Sequence, residues 1–254
     1  MLDQAYDLRR LAKPDGRPEL PRVAERPALL AVTGGKGGVG TTTVALRLAE
    51  ALTQAGRRAL LVDADPRGGN AALLCGIEEE RSLADVLAGR HTWVEAAETG
   101  PGGIRLIAGA RWSEDLGHGA PAAAERLIEL LGDNSSQADV VVVDVGNSPG
   151  RAVRRICRRA DAIVVVTTSD TPAVAGTFAA IRALAHPGRN QDGIDAAAPD
   201  FSVYVWVNRA PTARDAAQVY GRLVRACRRL LGIEIAGGDW SCLLHLAVAA
   251  RAKQ

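Results

Sequence analysis

The chain has 254 residues, of which 47% are hydrophobic and 24% charged, and its formal net charge is only +2. This composition excludes wholesale disorder and fits one large α/β domain or two small ones. The small net charge gives no general attraction for nucleic acid, so any basic surface has to be local. The sequence has no signal-peptide stretch and no run that approaches a membrane span, so we expect a cytoplasmic protein. Its scattered cysteines are typical of core thiols in a reducing cytosol: Cys75, Cys157, Cys227 and Cys242.

The first 27 residues differ in composition from the rest of the chain. The segment MLDQAYDLRRL predicts one short helix, and the following AKPDGRPELPRVAERP, with prolines and alternating charge, is typical of an extended linker. We therefore divide the chain into an N-terminal segment over residues 1–27 and a globular domain over residues 28–254.

Short apolar runs alternate with helical patterns from residue 28 onward. A helical pattern over Thr42–Ala55 follows the first run, with Gly56 as a stop and a core face of Val44, Ala45, Leu48, Leu52 and Ala55. The alternation predicts an α/β fold, a doubly wound and mostly parallel sheet of about seven strands with helices on both faces. The predicted strands are Ala28–Thr33, Ala59–Asp63, Gly103–Ala108, Val140–Asp144, Ala162–Thr167, Val203–Val207 and, with the weakest pattern, Gly232–Ala236.

A glycine-rich loop, TGGKGGVGTTT at residues 33–43, follows the first predicted strand and opens into the helix. Such a turn binds phosphates because bare backbone N–H groups and the helix N-terminus favour anions. A standard P-loop reads G-x-x-x-x-G-K-[ST], whereas here Thr41 follows Gly40 and Lys36 lies upstream. The same residues satisfy the G-x-G-x-x-G pattern of dinucleotide-binding folds, with Asp63 about 20 residues further on. The loop alone does not decide between a nucleoside triphosphate and a dinucleotide as the ligand.

Acidic residues at two further strand ends favour a nucleoside triphosphate. A lysine inside the loop supplies the full positive charge that suits a triphosphate, and Thr42 stands where a hydroxyl can ligate Mg²⁺. Asp63 and Asp65 in LLVDADPRGGN and Asp144 in VVVVDVGNSPG follow two predicted strands, so we expect them to converge on one cation. Gly146 leaves room for the backbone to approach the γ-phosphate. A dehydrogenase has no use for this arrangement.

Together these motifs resemble the MinD/ParA family of deviant Walker A ATPases, over essentially all of residues 28–236. The family's loop reads K-G-G-x-G-K-[ST], which Lys36–Gly40 matches up to the second lysine, and ADAIVVVTTSDTPAV at 160–174 is similar to the family's strand after switch II. The resemblance implies an ATPase that binds ATP or ADP with Mg²⁺ and forms a homodimer when ATP is bound. The nucleotide-binding residues that it implies are Gly35, Lys36, Gly37, Gly38, Val39, Gly40, Thr41, Thr42, Thr43, Gly146 and Asn208.

The resemblance also implies roles for individual residues. By analogy with the family, Lys36 reaches the phosphates of the partner's nucleotide, Asp65 orients the attacking water and Asn208 reads adenine. The implied magnesium site consists of Thr42, Asp63 and Asp144. The implied catalytic set consists of Lys36, Asp63 and Asp65.

One position departs from the family pattern, since Thr41 stands where the second lysine is expected. Loss of an ammonium group from a phosphate nest costs on the order of 2–4 kcal/mol if nothing compensates for it. Lys36 from a partner chain and Arg67 just after switch I are the candidates for partial compensation. We therefore expect nucleotide binding with weakened hydrolysis, and the alternative is a scaffold that binds nucleotide without turnover.

The N-terminal segment carries DQAYDLR, which matches the D-Q-A-x-x-L-R motif of the FlhG branch of the family. Proteins of that branch regulate flagellar number and use the motif to stimulate the GTPase FlhF. The resemblance implies an FlhF-like partner here, with basal-body or C-ring proteins as further partners and the inner membrane or cell pole as a site of action. The alternative is a terminal helix without a role. The partner-activating residues are Asp3, Gln4, Ala5, Leu8 and Arg9.

The C-terminal segment is apolar with few basic neighbours. Either a helix that contacts the membrane interface or a tail packed on the core fits this pattern. The apolar residues are Trp240, Leu243, Leu244, Leu246 and Val248, and the basic ones are Arg251 and Lys253.

Arginines recur at helical spacing in two stripes. Such stripes have three interpretations: solvated helix faces, a protein-binding surface beside the dimer interface, or a DNA-binding patch of the ParA kind. The DNA-binding interpretation is the least favoured, because no aromatic residues lie between the arginines of either stripe. The stripes are Arg151, Arg154, Arg155, Arg158 and Arg159, and Arg222, Arg225 and Arg229.

Overall fold

Seven strands form one sheet within residues 27–78, 80–111, 119–133, 138–147, 150–185 and 201–236, which the computed structural model describes. They lie in the order β3-β4-β2-β5-β1-β6-β7, and all neighbours are parallel except β3 and β4. The strands are β1 (Ala28–Gly34), β2 (Ala59–Asp63), β3 (Glu98–Thr99), β4 (Arg105–Ile107), β5 (Val140–Asp144), β6 (Ala162–Thr167) and β7 (Ser202–Val207). The helices are α1 (Thr41–Gln54), α2 (Ala71–Cys75), α3 (Leu83–Leu87), α4 (Trp93–Ala96), α5 (Gly119–Asp133), α6 (Arg151–Arg159), α7 (Thr171–Ala185) and α8 (Ala213–Leu231).

The sheet is buried on both faces because its central strands are apolar throughout. Successive side chains of a strand point to opposite faces. Strand β1 therefore places Leu30 in the core that it shares with Leu48 and Leu52 of α1. It places Leu29 in the opposite core, which includes Ile156 of α6. This layering confirms the predicted doubly wound α/β fold.

The predicted strands differ from the observed ones mainly at the sheet edges. Gly232–Ala236 is not a strand and makes only an isolated bridge to β7, so this prediction is wrong. The seventh strand is instead Glu98–Thr99, whose two polar residues carry no apolar pattern. The strand predicted at Gly103–Ala108 is shorter in the structure and spans Arg105–Ile107, because a 3₁₀ turn occupies Pro101–Gly103.

Helix α1 begins and ends one residue earlier than predicted. Ala55 was expected on the core face, but it is exposed because the helix ends at Gln54. The chain then turns at Gly56, whose φ of +81° confirms its role as a stop. The other predicted core residues of the helix are buried: Val44, Ala45, Leu48 and Leu52.

The two arginine stripes lie in different surroundings. On α6, Arg155 forms an ion pair with Glu125 of α5, and Arg154 is only partly exposed. This stripe is therefore partly a contact between helices, whereas the stripe on α8 is exposed. The exposed arginines of α8 are Arg222, Arg225 and Arg229.

Two terminal predictions fall on residues 1–26 and 237–254, which lie outside the described residues. They concern the D-Q-A-x-x-L-R segment and the apolar C-terminal segment, which includes Cys242. Of the other cysteines, Cys157 and Cys227 are buried and Cys75 is partly buried. Among the helices that the structure describes, none is both long and apolar enough to cross a membrane.

A contact between two glycines presses the loop after β1 against α7. A Cβ atom added at Gly35 would lie 2.1 Å from the backbone nitrogen of Thr177. A Cβ atom added at Gly176 would lie 2.3 Å from the carbonyl oxygen of Gly35. Neither position tolerates a side chain without a backbone shift, so this contact fixes the loop on a long helix of the fold.

Replacing Gly176 by alanine should lower the free energy of unfolding by about 1–3 kcal/mol, as overpacking of a close contact does. The matched control is Gly221→Ala on α8, where the new methyl group meets only the end of the Arg225 side chain, at 3.3 Å. Alanine favours a helix over glycine by about 0.5–1 kcal/mol, so the control should be neutral or stabilising. Thermal unfolding of both variants checks the prediction, and equal changes in Tm would contradict it.

Candidate nucleotide-binding site

A loop over residues 35–40 joins the end of β1 to the start of α1. Gly38 and Gly40 have φ angles of +78° and +91°, in the left-handed region that favours glycine. Gly40 is also the N-cap of α1, and no side chain caps this helix end. The first backbone N–H groups of the helix are therefore directed at the loop, where they favour an anion such as a phosphate.

The three threonines after the loop lie in different environments. Thr41 is 7% exposed, and its Oγ1 would lie 2.7 Å from a Cβ atom added at Gly34, so the side chain is packed inside the loop. Thr42 is half-buried, and its hydroxyl donates a hydrogen bond to the carboxylate of Asp144. Thr43 is exposed. Of the three, Thr42 is the one that lies beside a strand-end carboxylate.

Two aspartates lie side by side at the ends of adjacent strands. Asp63 of β2 and Asp144 of β5 are paired in the strand register, and both are fully buried. Asp63 accepts a hydrogen bond of 2.9 Å from the backbone N–H of Ala71, and a Cβ atom at Gly69 would overlap its carboxylate. The Oδ1 of Asp144 accepts one of 3.0 Å from the N–H of Gly146. The backbone after each strand thus holds its carboxylate in place.

Burial raises the pKa of both carboxyl groups. The pKa of Asp63 is raised to about 7, first by burial and then by the charge of Asp144. The pKa of Asp144 is raised to about 6 by burial, while hydrogen bonds from Thr42 and Gly146 oppose the rise. Both groups therefore titrate near neutral pH, and a nearby cation would favour their charged forms.

The residues at this edge fit part of a magnesium site. The Oδ2 of Asp144 is buried, and it has no hydrogen-bond partner among the described residues. Mg²⁺ is usually held by one or two carboxylates together with phosphate oxygens and waters. Within the described ranges, no three His, Cys, Asp or Glu side chains are grouped closely enough to hold a metal alone. The arrangement therefore suits an ion that is shared with bound phosphates.

Asp65 does not join Asp63 and Asp144 as a third ligand, contrary to the expected convergence. Its carboxylate pairs with Arg67, whose Nε and Nη2 donate hydrogen bonds of 3.2 and 3.0 Å to it. This contact raises the pKa of the Arg67 guanidinium. A Cβ atom added at Gly146 would lie 2.2 Å from the Oδ2 of Asp65, so the two predicted switch segments are in contact.

Lys36 lies at the exposed side of the loop and pairs with Asp170, just before α7. Its Nζ is 3.2 Å from Oδ1 of Asp170, and both side chains are about half exposed, at 47% and 46%. Hydrogen bonds from Thr168, the backbone of Ala173 and Lys36 hold the pKa of Asp170 at about 2. The ammonium group is therefore held by a charged carboxylate at a surface that a second molecule can reach.

Two residues after β7 hold the loop from its other side. The amide of Asn208 donates a hydrogen bond of 2.8 Å to the carbonyl oxygen of Val39. The guanidinium of Arg209 donates to the carbonyl oxygen of Gly38, and its backbone has a φ of +52°. Asn208, which was expected to read adenine, is thus placed next to the loop, where its amide is bonded to the backbone.

The structure brings most of the predicted site residues to the carboxyl edge of the sheet, while their roles stay predictions. Sequence reasoning missed Asp170, Arg209 and Gly176. Asp170 and Arg209 follow closely on predicted strands, so their position at this edge could have been found. Gly176 carries no local signal, since its importance comes from a contact distant in the chain. The predicted residues at the edge are Gly35, Lys36, Gly37, Gly38, Val39, Gly40, Thr42, Asp63, Asp65, Asp144, Gly146 and Asn208.

Known proteins share this sequence pattern. Residues 30–233 match the family model described as the CobQ/CobB/MinD/ParA nucleotide binding domain. The antiactivator FleN of Pseudomonas aeruginosa is 32% identical over 208 residues, which cover 82% of this chain and 70% of FleN. The flagellum site-determining protein YlxH of Helicobacter pylori is 29% identical over 155 residues, which cover 60% of this chain and 52% of YlxH. The match thus spans about half the length of YlxH.

The fold is also found among solved structures. The septum site-determining protein MinD of Pyrococcus horikoshii, solved in complex with Mg-ADP, superposes with a TM-score of 0.60 and 20% sequence identity. The superposition covers 90% of this chain and 100% of that protein. At this identity the likeness establishes the fold, which is that of a MinD-like α/β protein.

Replacing Asp144 by asparagine should raise the free energy of unfolding of the nucleotide-free protein at pH 8 by about 1–3 kcal/mol. The pKa of Asp144 is raised by folding from 3.8 to about 6, so its contribution to stability is full below about pH 4 and is lost as the pH rises through about 6. Asparagine keeps an acceptor for the N–H of Gly146 and carries no charge. Denaturant unfolding at pH 4 and pH 8 checks the prediction, and a difference that is the same at both pH values would contradict it.

Proposed function

This chain belongs to the CobQ/CobB/MinD/ParA nucleotide-binding domain family, and we propose that it is an ATP-dependent switch of the MinD type that regulates flagellar number or placement. The observation that carries the nucleotide part is the buried Oδ2 of Asp144, which has no hydrogen-bond partner in the described part of the chain and lies near the hydroxyl of Thr42 and a helix N-terminus that no side chain caps. The flagellar part is supported by the similarity to FleN and YlxH, which are described as an antiactivator and a flagellum site-determining protein.

The residues of the site suit the binding of ATP or ADP with Mg²⁺. A bound magnesium ion would supply positive charge to the phosphates. The loop over residues 35–40 would bind the phosphates through its backbone N–H groups, and Thr42 and Asp144 would hold the ion through their oxygens. Asp65 orients the attacking water once Arg67 releases its carboxylate. The chain's own part in hydrolysis is thus to position the reactants and hold opposite charge nearby.

Lys36 gives the switch its link to a second copy of the chain. In the proposed dimer its ammonium group leaves Asp170 and contacts the phosphates of the other subunit's nucleotide. The support is its exposed position on the loop and its pairing with a carboxylate that a phosphate can replace. Dimerisation then depends on ATP, since the proposed contact is to the terminal phosphate, which ADP lacks.

The proposed partner is an FlhF-like GTPase, stimulated through Gln4 of the D-Q-A-x-x-L-R segment. The proposed places of action are the cytoplasm, the inner membrane and the cell pole, with basal-body or C-ring proteins as further partners. The sequence motif and the similarity to the flagellum site-determining protein YlxH support this assignment.

A scaffold that binds nucleotide without turnover is the second candidate function. The observation that favours it is the buried Thr41, which brings no positive charge to the phosphates. A positioning ATPase that binds DNA is the third, favoured by the exposed arginine stripe of α8. Binding to DNA that falls steeply with salt would support the third candidate.

The rate of ATP hydrolysis distinguishes the proposed switch from the scaffold that binds nucleotide without turnover. We expect slow ATP hydrolysis by the natural chain, and at least tenfold faster hydrolysis by Thr41→Lys, because an ammonium group in the loop stabilises transition-state charge by about 2–4 kcal/mol. Asp65→Ala should abolish hydrolysis in both backgrounds. A phosphate-release assay measures the rates. Hydrolysis that is absent in the natural chain would favour the scaffold.

The N-terminal segment should accelerate an FlhF-like GTPase on its own. We expect a peptide of residues 1–25 to increase GTP turnover by the partner, and a peptide with Gln4→Ala to have little effect, because the glutamine is the group proposed to reach the GTP site. A GTPase assay with both peptides checks this. No acceleration by the natural peptide would refute the proposed partner.

A further inference from the structure

The guanidinium group of Arg67 forms a two-point ion pair with Asp65. Its Nε lies 3.2 Å from Oδ1 and its Nη2 lies 3.0 Å from Oδ2, while the backbone N–H of Arg67 donates a further hydrogen bond of 3.0 Å to Oδ1. Planar carboxylates and phosphates both accept such a paired contact from arginine. Arg67 is 58% exposed and Asp65 17%, so the arginine can move while the acid stays in place.

This ion pair borders the base of the phosphate-binding loop. The carboxylate of Asp65 lies against Gly146, as the 2.2 Å between its Oδ2 and an added Cβ atom indicates. The carbonyl oxygen of Gly146 accepts hydrogen bonds from the N–H of Gly34, at 3.0 Å, and from the hydroxyl of Thr33, at 2.9 Å. Asp65 is therefore held at the end of the site where β1 enters the loop, and Arg67, whose backbone bridges Arg111 after β4, is tied to that end through Asp65.

Two other basic side chains beside the loop are engaged elsewhere. Lys36 pairs with Asp170 at the exposed surface, and Arg209 donates to the carbonyl oxygen of Gly38 on the side of β7. Thr41 is neutral where a lysine is expected. Arg67 is the basic residue that contacts the acid expected to orient the attacking water.

We propose that Arg67 is a phosphate-sensing positioning residue, which holds Asp65 in the nucleotide-free chain and moves to the terminal phosphate of a bound nucleoside triphosphate. The move has two effects. It supplies positive charge that Thr41 does not, and it releases the carboxylate of Asp65. A diphosphate lacks the terminal group, so Arg67 stays on Asp65 when ADP is bound. The inference rests on the proposed function, because it takes the loop to be an ATP site.

The first test is the ratio of the affinities for ATP and ADP, measured by calorimetry with Mg²⁺. Arg67→Gln should weaken ATP binding about tenfold and change ADP binding less than about twofold. The matched control is Arg90→Gln, since Arg90 pairs with Asp85 through Nε at 2.9 Å and Nη2 at 2.7 Å and is 57% exposed. The control should leave both affinities unchanged. Equal changes for ATP and ADP in Arg67→Gln would overturn the inference.

The second test removes the competitor for Arg67. Asp65→Asn should tighten ATP binding several-fold, because Arg67 no longer gives up an ion pair when it moves to the phosphate. The gain should vanish in the double variant Asp65→Asn/Arg67→Gln. A gain that persists there would overturn the inference, because it would come from lost repulsion between Asp65 and the phosphate. If the natural chain binds neither nucleotide, the proposed function fails as well; if it binds ATP and Arg67→Gln keeps the same ratio, only the inference fails.

Discussion

Burial of two carboxyl groups side by side is the constraint on which the site depends. Asp63 and Asp144 end adjacent strands at the centre of the sheet, and each accepts a hydrogen bond from the backbone that follows its strand. Burial raises the pKa of each group, and the charge of Asp144 adds to the rise at Asp63 while the charge of Asp65 adds to it at Asp144, so the charged forms cost stability in the folded chain. Thr42 and the loop lie directly beside them. A cation that is shared with phosphates would therefore stabilise the charged forms of these two carboxyl groups.

The positive charge of the site is distributed over residues outside the usual P-loop position. Lys36, Arg67 and Arg209 are each held by an acid or a carbonyl oxygen in the structure. Each contact is one that a phosphate or a second chain can replace, since phosphate oxygens accept the same charge-assisted hydrogen bonds. A family member with a neutral Thr41 can thus keep its affinity for a triphosphate and make it depend on conformation and on a partner.

Much of the fold and of the site could be predicted from the sequence, because parallel strands bring their carboxyl ends to one edge. Asp63, Asp144 and the loop were placed together by that rule alone. The edge strand Glu98–Thr99 was missed, since two polar residues show no alternation of apolar and polar positions. The ion pair between Asp65 and Arg67 depends on side-chain conformation in a turn, and the packing of Gly176 on the loop depends on a contact between distant segments. Local patterns hold neither kind of information.

The measurement that most directly tests the switch is the molar mass in solution with Mg²⁺ and either ATP or ADP, for the natural chain and for Lys36→Ala. The account predicts a dimer of the natural chain with ATP and a monomer with ADP, and a monomer of Lys36→Ala with both nucleotides. Arg47→Ala is the control, since Arg47 is about as exposed as Lys36, at 48%, and forms its ion pair with Glu50 on the same helix. A natural chain whose mass is the same with ATP and ADP would contradict the account.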